Sequence, residues 1–252
     1  MNSARAIGPD DIIGVIPARW GATRFPGKML ASIAGRPLIT WVVRGCRRSR
    51  RVTRWIVATD DQRIAVAAAA AGAGVVMTSR GLKSGSDRVA QAVANERVAW
   101  VVNWQGDEWL PNGRPIDLLV AALERDDSCS VATLVRPLPP VEARNPNRVK
   151  VVVSRSGRAL YFSRAPIPHD STGKAPFWLH VGVYGFARRT LLEFAGWPQT
   201  PLEKQEKLEQ LRLLEHDVPI AVARSRVATY GIDTPADARA LARRLRPGRR
   251  SQ

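Results

Sequence analysis

The sequence predicts an α/β protein built around a mainly parallel β-sheet. Short apolar segments alternate with segments of helical periodicity from residue 12 onward, the pattern in which helices connect parallel strands. Of the 252 residues, 45% are hydrophobic, so the chain can bury a substantial core as one domain or as a core with a smaller appendage. The sequence contains no internal repeat or long low-complexity tract that would indicate a different class of fold.

The first hundred residues are predicted to form most of the sheet. We predict, in order, strand 12–16, helix 37–46, strand 55–58, helix 62–71, strand 75–78, helix 86–95 and strand 99–104. Ser86 and Asp87 at the start of the third helix are typical of a helix N-terminus. Because ligands of such sheets bind beyond the carboxyl ends of the strands, the loops after residues 16 and 104 should face one cleft.

The second half of the chain is predicted to add a smaller lobe and a helix. We predict helix 116–124, strands 130–135, 149–153 and 181–186, and helix 202–214. Thr200 is a candidate N-cap of the last helix, with Pro201 at its first position. We expect one domain over residues 10–240, with a substrate-binding or dimerisation lobe inserted at about 130–190, and disordered tails at 1–9 and 246–252.

The loop over residues 17–28 carries three cations directly after the first predicted strand. Arg19, Arg24 and Lys28 are spaced along it, and Gly21 and Gly27 let its backbone approach a ligand. The loop has neither the GxxxxGK[ST] pattern nor the GxGxxG pattern. From these residues alone it is either a triphosphate-binding loop or a solvated basic turn.

The charge of the chain leaves a second class of function open. The net charge of +17 and the pI near 11.3 would favour binding to nucleic acids or anionic membranes. However, 33 of the 39 basic residues are arginines scattered among many alanines, which suggests a GC-rich genome, and no RRM, zinc-finger or helix-turn-helix pattern accompanies them. We therefore expect neither a nucleic-acid partner nor membrane insertion. Cys46 and Cys129 lie far apart without metal-ligand spacing, so we expect a reduced, cytoplasmic protein.

Five motifs together resemble one enzyme family. They are PAR-x-x-x-TR-x-PGK at 17–28, KSGSDR at 83–88, NWQGDE at 103–108, YFSRAPIP at 161–168, and the pair LEQLR at 208–212 and GIDTP at 231–235. In wording and order they resemble the CMP-Kdo synthetases (3-deoxy-manno-octulosonate cytidylyltransferases), which are sugar-activating nucleotidyltransferases. The resemblance implies a Rossmann-like, glycosyltransferase-A-like sheet. It also implies a CTP-dependent enzyme, commonly a homodimer, that joins CMP to an anionic acceptor and releases pyrophosphate.

The resemblance also implies the residues that bind the nucleotide. These are Pro17, Ala18, Arg19, Arg24, Lys28, Lys83, Ser84, Gly85, Arg88, Gln105 and Asp107. Catalytic roles are implied for Asp107 and for the three loop cations, of which Arg24 and Lys28 would stabilise the departing pyrophosphate. Asp107 and Asp233 are implied to bind Mg²⁺, a hard ion that prefers oxygen ligands, although from spacing alone either could be a helix N-cap.

A second set of residues is implied to bind the acceptor. It comprises Gln105, Arg164, His180, Tyr184, Glu209 and Gln210. Arg164 suits a carboxylate, and the others can sort sugar hydroxyls by hydrogen bonds. The sequence departs from the family pattern at Lys83, Trp104, Trp109 and Leu179. These departures leave a phosphonate acceptor open, as in the related phosphonoformate cytidylyltransferases, but the retained polar residues favour 3-deoxy-manno-octulosonate (Kdo).

Overall fold

The apolar segments form a nine-stranded mixed sheet in the computed structural model, which describes residues 6–21, 25–171, 173 and 176–245. The strands are β1 (Ile12–Ala18), β2 (Ser32–Ile33), β3 (Arg36–Pro37), β4 (Trp55–Thr59), β5 (Gly74–Met77), β6 (Trp100–Asn103), β7 (Glu108–Trp109), β8 (Val131–Leu138), β9 (Lys150–Val153), β10 (Ala159–Ser163), β11 (Phe177–Ala187), β12 (Ile220–Arg224) and β13 (Tyr230–Gly231). The helices are α1 (Leu38–Cys46), α2 (Gln62–Ala70), α3 (Gly85–Val93), α4 (Arg114–Arg125), α5 (Arg188–Gly196), α6 (Pro201–Glu206), α7 (Leu211–Glu215) and α8 (Pro235–Leu245).

The sheet has a parallel half and an antiparallel half. Strands β6, β1, β4 and β5 lie side by side in parallel, as the alternation of strands and helices predicted. The long strand β11 runs antiparallel to β6 and also pairs with β8 and β9, and β12 pairs in parallel with β8. The carboxyl ends of the neighbouring strands β1 and β6 therefore lie together, and Asn103 at the end of β6 pairs with Tyr184 in β11.

The central parallel strands β1, β4 and β6 are buried on both faces, which explains why they are largely apolar in sequence, whereas β5 at the edge of the sheet is partly exposed. Ile12 and Ile16 of β1 belong to the core on the side of α1, α2 and α4, whereas Ile13 and Val15 belong to the core on the side of α3 and α5. All four side chains are at most 1% exposed. Packing against the two cores fixes the position of these strands, and with it the position of the loops at their ends.

The prediction of one continuous helix over residues 202–214 is wrong, because the segment forms two helices joined by a turn. Helix α6 ends at Glu206, Lys207 takes a left-handed conformation with φ of 53°, and α7 begins only at Leu211. The guanidinium of Arg164 donates to the backbone carbonyls of Glu206 and Lys207 at 2.8 and 3.3 Å. Carbonyls that would accept hydrogen bonds in a continuous helix are thus bound to a distant side chain, and the chain turns.

The segment 130–190, where we expected a smaller lobe, supplies strands β8 to β11 of the same sheet. Ile7 is 5% exposed in the core and its N–H donates to Glu124 at 2.9 Å, so the fold includes a residue that the sequence placed in a tail. Residues 1–5 and 246–252 of the predicted tails lie outside the described residues. Among the helices of the described ranges, none has the length and apolar character needed to cross a bilayer.

Candidate active site

Two adjoining clefts lie at the carboxyl ends of β1 and β6. The first, which we call the nucleotide cleft, is lined by Pro17, Ala18, Arg19, Lys28, Met29, Lys83, Ser84, Gly85, Arg88, Gln105, Gly106 and Asp107. These include every described residue that the sequence predicted for nucleotide binding. The remaining predicted residue, Arg24, lies outside the described residues. Segments up to ninety residues apart thus converge because the parallel strands end at one edge of the sheet.

The start of the basic loop after β1 is held by Asp60 and Arg63, and Gly27 lies at its end. The N–H of Trp20 donates to Asp60 at 3.3 Å, and the guanidinium of Arg63 lies 3.6 Å from the centre of the Trp20 ring. Gly27 closes the loop with φ of +68°, and a Cβ there would meet the Trp20 ring at 2.7 Å. Arg19 is left exposed at the mouth of the cleft.

Lys28 lies between the two aspartates that were predicted to bind metal. Its ammonium donates to Asp107 and lies 3.7 Å from Oδ1 of Asp233 and 3.3 Å from the carbonyl oxygen of Ile232. The N-cap of α8 is built from Thr234 and Asp237, whose carboxylate accepts from the N–H of Thr234 at 2.8 Å. The side chain of Asp233 therefore lies beside Lys28, and Thr234 stands at the N-cap position of the helix.

The donor set at Asp107 and Asp233 fits a magnesium ion bound together with phosphates. Both are carboxylates, and a cationic group already lies against both of them. Among the described residues, no cluster of three or more His, Cys, Asp or Glu side chains could hold a metal on its own. Mg²⁺ commonly takes one or two carboxylates together with phosphate oxygens and waters, so two carboxylates are sufficient.

The N-terminus of α3 forms the wall opposite the basic loop. Ser84 caps the helix: its hydroxyl accepts from the N–H of Asp87 at 3.0 Å, and Asp87 accepts from the N–H of Ser84 at 3.0 Å. Arg88 is 2% exposed, and its guanidinium is held by Asp60 at 3.0 Å and by Thr78. Arg88 thus borders the cleft as a fixed cation, and Asp60 joins it to the backbone of the basic loop.

The second cleft, which we call the acceptor cleft, adjoins the first. It is lined by Gly85, Gln105, Asn147, Val149, His180, Gly182, Tyr184, Leu208, Glu209 and Gln210. Five of the six predicted acceptor residues are among them. Gly85 and Gln105 line both clefts, so a ligand in one cleft lies next to a ligand in the other.

Burial sets the protonation of the polar groups in the acceptor cleft. It lowers the pKa of His180 to about 3, so the imidazole is neutral, and it raises the pKa of the Tyr184 phenol. It also raises the pKa of Glu209, whose Oε2 accepts a hydrogen bond from Ser86 at 3.0 Å. The cleft therefore presents mainly hydrogen-bonding groups, as expected for a polyhydroxylated ligand.

The sixth predicted residue, Arg164, does not line the acceptor cleft in the described structure. Besides Glu206 and Lys207, its guanidinium donates to the carbonyl oxygen of Pro146 at 3.0 Å. Three backbone carbonyls thus occupy the donors that the sequence assigned to an acceptor carboxylate. Arg164 instead fastens the turn that precedes Glu209.

Three departures from the family pattern are packing residues. Trp104 is fully buried and its indole N–H donates to the carbonyl of Glu108 at 2.7 Å. Trp109 packs on Tyr230 with ring centres 5.6 Å apart, and Leu179 is 6% exposed in a small core beside β8. None of the three lines the acceptor cleft. The fourth, Lys83, is exposed at the rim of the nucleotide cleft.

The sequence prediction missed several residues of the two clefts. They are Met29, Gly106, Asn147, Val149, Gly182 and Leu208. It also missed Asp60, although this residue directly follows β4 at the same edge of the sheet as the basic loop. The strand-end rule that identified Asp107 would have indicated Asp60 as well.

Comparison with known proteins agrees with this geometry. The model of the cytidylyltransferase family matches residues 13–220. The 3-deoxy-manno-octulosonate cytidylyltransferase of Anaeromyxobacter sp. (strain Fw109-5) is 51% identical over 90% of this chain and 95% of its own, and that of Syntrophobacter fumaroxidans is 47% identical over 91% and 95%.

A solved structure of CMP:2-keto-3-deoxy-manno-octonic acid synthetase complexed with CTP matches with a TM-score of 0.88 and 36% identity, over 93% of this chain and 98% of the other. This likeness confirms the predicted Rossmann-like nucleotidyltransferase fold. Matches of this identity and coverage establish homology across both clefts. The protein therefore belongs to the cytidylyltransferase family, among the 3-deoxy-manno-octulosonate cytidylyltransferases or CMP-Kdo synthetases.

Proposed function

We propose that this protein transfers CMP from CTP to Kdo and releases pyrophosphate. The observation that carries the proposal is the pair of adjoining clefts, one lined by the cationic loop residues Arg19 and Lys28 and the other mainly by hydrogen-bonding side chains. Gln105 and Gly85 in the shared wall bring the two ligands into contact distance. The names of the most similar relatives support the same pair of substrates.

In the proposed reaction a hydroxyl oxygen of the acceptor forms a bond to the α-phosphorus of CTP. The bond from this phosphorus to the bridging oxygen breaks, pyrophosphate leaves with the electron pair, and the hydroxyl proton passes to solvent. Catalysis of this kind depends mainly on alignment and on positive charge around the phosphates. The two clefts supply the alignment, and the cations of the basic loop supply the charge.

We assign the phosphates to Arg19, Arg24 and Lys28. Arg19 is exposed at the mouth of the nucleotide cleft, where it can pair with phosphate oxygens. Lys28 is 9% exposed and held by Asp107, so the phosphates compete with a carboxylate for its ammonium. In this proposal the ribose and base lie along Ser84, Gly85 and the N-terminus of α3.

We propose that Asp107 and Asp233 hold Mg²⁺ when CTP is bound. The ion would offset negative charge on the triphosphate and lower the pKa of the attacking hydroxyl. Lys28 holds the two carboxylates close together, since the Lys28 ammonium contacts Asp107 and lies 3.7 Å from Asp233. The same contact limits the repulsion between the carboxylates.

For the acceptor we assign Gln105, His180, Tyr184, Glu209 and Gln210. The amide and phenol groups suit the hydroxyls of a sugar acid, and His180 contributes by hydrogen bonds to Tyr184 and Gln210. A small phosphonate would need more cations than these residues provide. Trp104, Trp109 and Leu179, the departures that left a phosphonate acceptor open, are buried packing residues outside the acceptor cleft, so they do not argue for a phosphonate.

We further propose a homodimer located in the cytoplasm. Val141 is 87% exposed and Leu160 60% exposed, both in the segment for which we expected a dimerisation lobe. Two buried cysteines without a disulfide are compatible with a reducing compartment. Sedimentation of the purified protein tests the first proposal.

Pyrophosphate release tests the function directly. The protein is incubated with CTP and Mg²⁺ and either Kdo, phosphonoformate or no acceptor. Pyrophosphate release in the incubation with Kdo, but not in the other two, supports the proposal. Release in the incubation with phosphonoformate only would show that the acceptor is a phosphonate and not Kdo. If neither acceptor gives release, isothermal titration of CTP with and without Mg²⁺ separates a different acceptor from a protein that does not bind CTP at all.

A further inference from the structure

An irregularity in β11 lies directly beneath the acceptor cleft. In the pairing with β8, Val181 lies opposite Leu134, and the next paired residue, Tyr184, lies opposite Thr133. Gly182 and Val183 therefore have no partner on β8 and form a bulge. Bulges leave backbone groups outside the ladder and redirect side chains, and they are frequent beside active sites.

The side chain of Thr133 lies under this bulge. Its hydroxyl is 2.9 Å from the carbonyl oxygen of Val183 and 3.4 Å from that of Val181, and the residue is fully buried. A hydroxyl has a single proton, and a buried carbonyl outside the ladder needs a donor. The proton of Thr133 is therefore committed to Val183, and the hydroxyl oxygen can only accept a hydrogen bond from any further partner.

That further partner is His180, whose Nε2 is 3.0 Å from the Thr133 oxygen. Because the threonine oxygen can only accept, Nε2 must carry the proton. Burial keeps the imidazole neutral, so Nδ1 has no proton and is an acceptor. The hydroxyl oxygen of Tyr184, 3.2 Å from Nε2, can share the same N–H and keep its own proton for another acceptor.

The chain of hydrogen bonds ends at Gln210. Its amide nitrogen is 3.4 Å from Nδ1 of His180, and only the NH₂ side of the amide can donate to that atom. The amide is thereby oriented with its nitrogen on His180 and its carbonyl oxygen on the opposite side. Gln210 and Tyr184 both line the acceptor cleft.

We propose that Thr133 is a positioning residue that, through His180, orients Gln210 with its carbonyl oxygen toward the acceptor. The cleft then offers one fixed acceptor, the Gln210 carbonyl, and one fixed donor, the Tyr184 hydroxyl. This pair is complementary to neighbouring hydroxyls of a sugar acid. The assignment of the ligand rests on the proposed function, but the chain of hydrogen bonds does not.

NMR of the histidine rings tests the chain without any substrate. The protein has three histidines, and long-range ¹H–¹⁵N spectra distinguish a ring protonated on Nε2 from one protonated on Nδ1. The signal of His180 is assigned by its loss in His180→Gln. We expect the Nε2-protonated form at pH 7 in the wild type and in Thr133→Ser, and a changed or mixed form in Thr133→Val. A ring protonated on Nδ1 in the wild type would overturn the proposal.

Kinetics test the consequence for binding. Thr133→Val should raise KM for Kdo about tenfold, the effect of one misplaced hydrogen bond, and leave KM for CTP within about twofold. Thr133→Ser, which keeps the hydroxyl, should have the wild-type KM for Kdo. Equal increases in both constants, or no rescue by serine, would reduce Thr133 to a packing residue and overturn the proposal.

A second variant is available if Thr133→Val does not fold. Gln210→Glu keeps an oxygen on the cleft side and sets a carboxylate oxygen against Nδ1 of His180, so Nδ1 should take up a proton while Nε2 keeps its own. An unchanged ring signal in this variant would contradict the contact. If the wild type has the expected ring form but does not turn over Kdo, the proposed function fails while the chain of hydrogen bonds stands. If Kdo is turned over and the ring has the other form, only this inference fails.

Discussion

Replacing Asp107 with asparagine separates the charge of this residue from its shape. The carboxylate accepts a hydrogen bond from the Lys28 ammonium, and the side chains of the two residues are 31% and 11% exposed. Asparagine keeps an oxygen that can accept this bond but removes the negative charge. The variant therefore tests whether the site needs the charge to bind Mg²⁺ and CTP.

The expected loss of stability is small. Removing one partner of a fully buried ion pair costs about 3–5 kcal/mol, but Asp107 is partly exposed and screened by solvent. Asp233 and the carbonyl of Ile232 also remain near the ammonium. We therefore expect the free energy of unfolding to fall by about 1–2 kcal/mol, so the variant folds. Turnover should fall by about 10²-fold or more, the usual cost of losing one charge-stabilising group.

The assay combines urea unfolding with pyrophosphate release over a range of Mg²⁺ concentrations. Asp126→Asn is the matched control, because Asp126 pairs with Arg158 at 2.7 Å and lines neither of the two clefts. The control should lose a similar amount of stability and keep its turnover. Unchanged turnover in Asp107→Asn, or an equal loss of turnover in both variants, would refute the assignment of Asp107 to the metal and phosphates.

Three further predictions concern pH, the α6–α7 turn and backbone contact. Burial lowers the pKa of His180 to about 3 in the folded protein, against an ordinary value of 6.5, so only the unfolded chain gains this proton between these pH values. The free energy of unfolding should therefore fall on acidification below pH 6.5, by at most about 1.4 kcal/mol per pH unit. Urea titrations at several pH values would measure this fall, which should be smaller in His180→Gln than in the wild type. Arg212→Met removes the two hydrogen bonds of 2.6 and 2.8 Å that the buried carboxylate of Glu203 accepts from Arg212. The free energy of unfolding, measured in urea, should fall by about 3–5 kcal/mol. A fall below about 1 kcal/mol would contradict the pairing of Arg212 with Glu203. Gly106→Ala would set a Cβ 2.7 Å from the carbonyl oxygen of Pro17 and so displace the backbone of the nucleotide cleft. Calorimetric titration should therefore detect weaker CTP binding. Wild-type affinity for CTP would show that the backbone at Pro17 can move without affecting the cleft.

The parallel half of the fold and the nucleotide cleft could be predicted because their causes are local in sequence. Strands β1, β4 and β6 are buried on both faces and are apolar without interruption, and the parallel topology then places their loops together. Thr200 likewise caps α6 as the sequence indicates, whereas α3 begins at Gly85 with Ser84 as its cap, one residue before the start predicted at Ser86. Such features need no knowledge of distant contacts.

The parts that escaped prediction depend on contacts between distant segments. Helical periodicity continues through residues 202–214, and only Arg164, about forty residues earlier, reveals why the helix breaks at Lys207. The same contact explains why Arg164 fastens a turn, whereas its motif suggested a ligand for a carboxylate. The pairing of β12 with β8 joins segments about ninety residues apart and leaves no local pattern in the sequence.

The two clefts differ in how their walls are attached to the sheet. The nucleotide cleft is made largely by loops that follow strand ends, where an added residue would lengthen a loop and leave the ladder intact. The acceptor cleft is made in part by His180, Gly182 and Tyr184, which lie within a strand whose flanking residues pair with β8. An insertion or deletion there would shift the register of the strand and turn its side chains to the other face. New acceptors should therefore be accommodated in this scaffold by substitutions at fixed chain length, while changes in length should be confined to the nucleotide side.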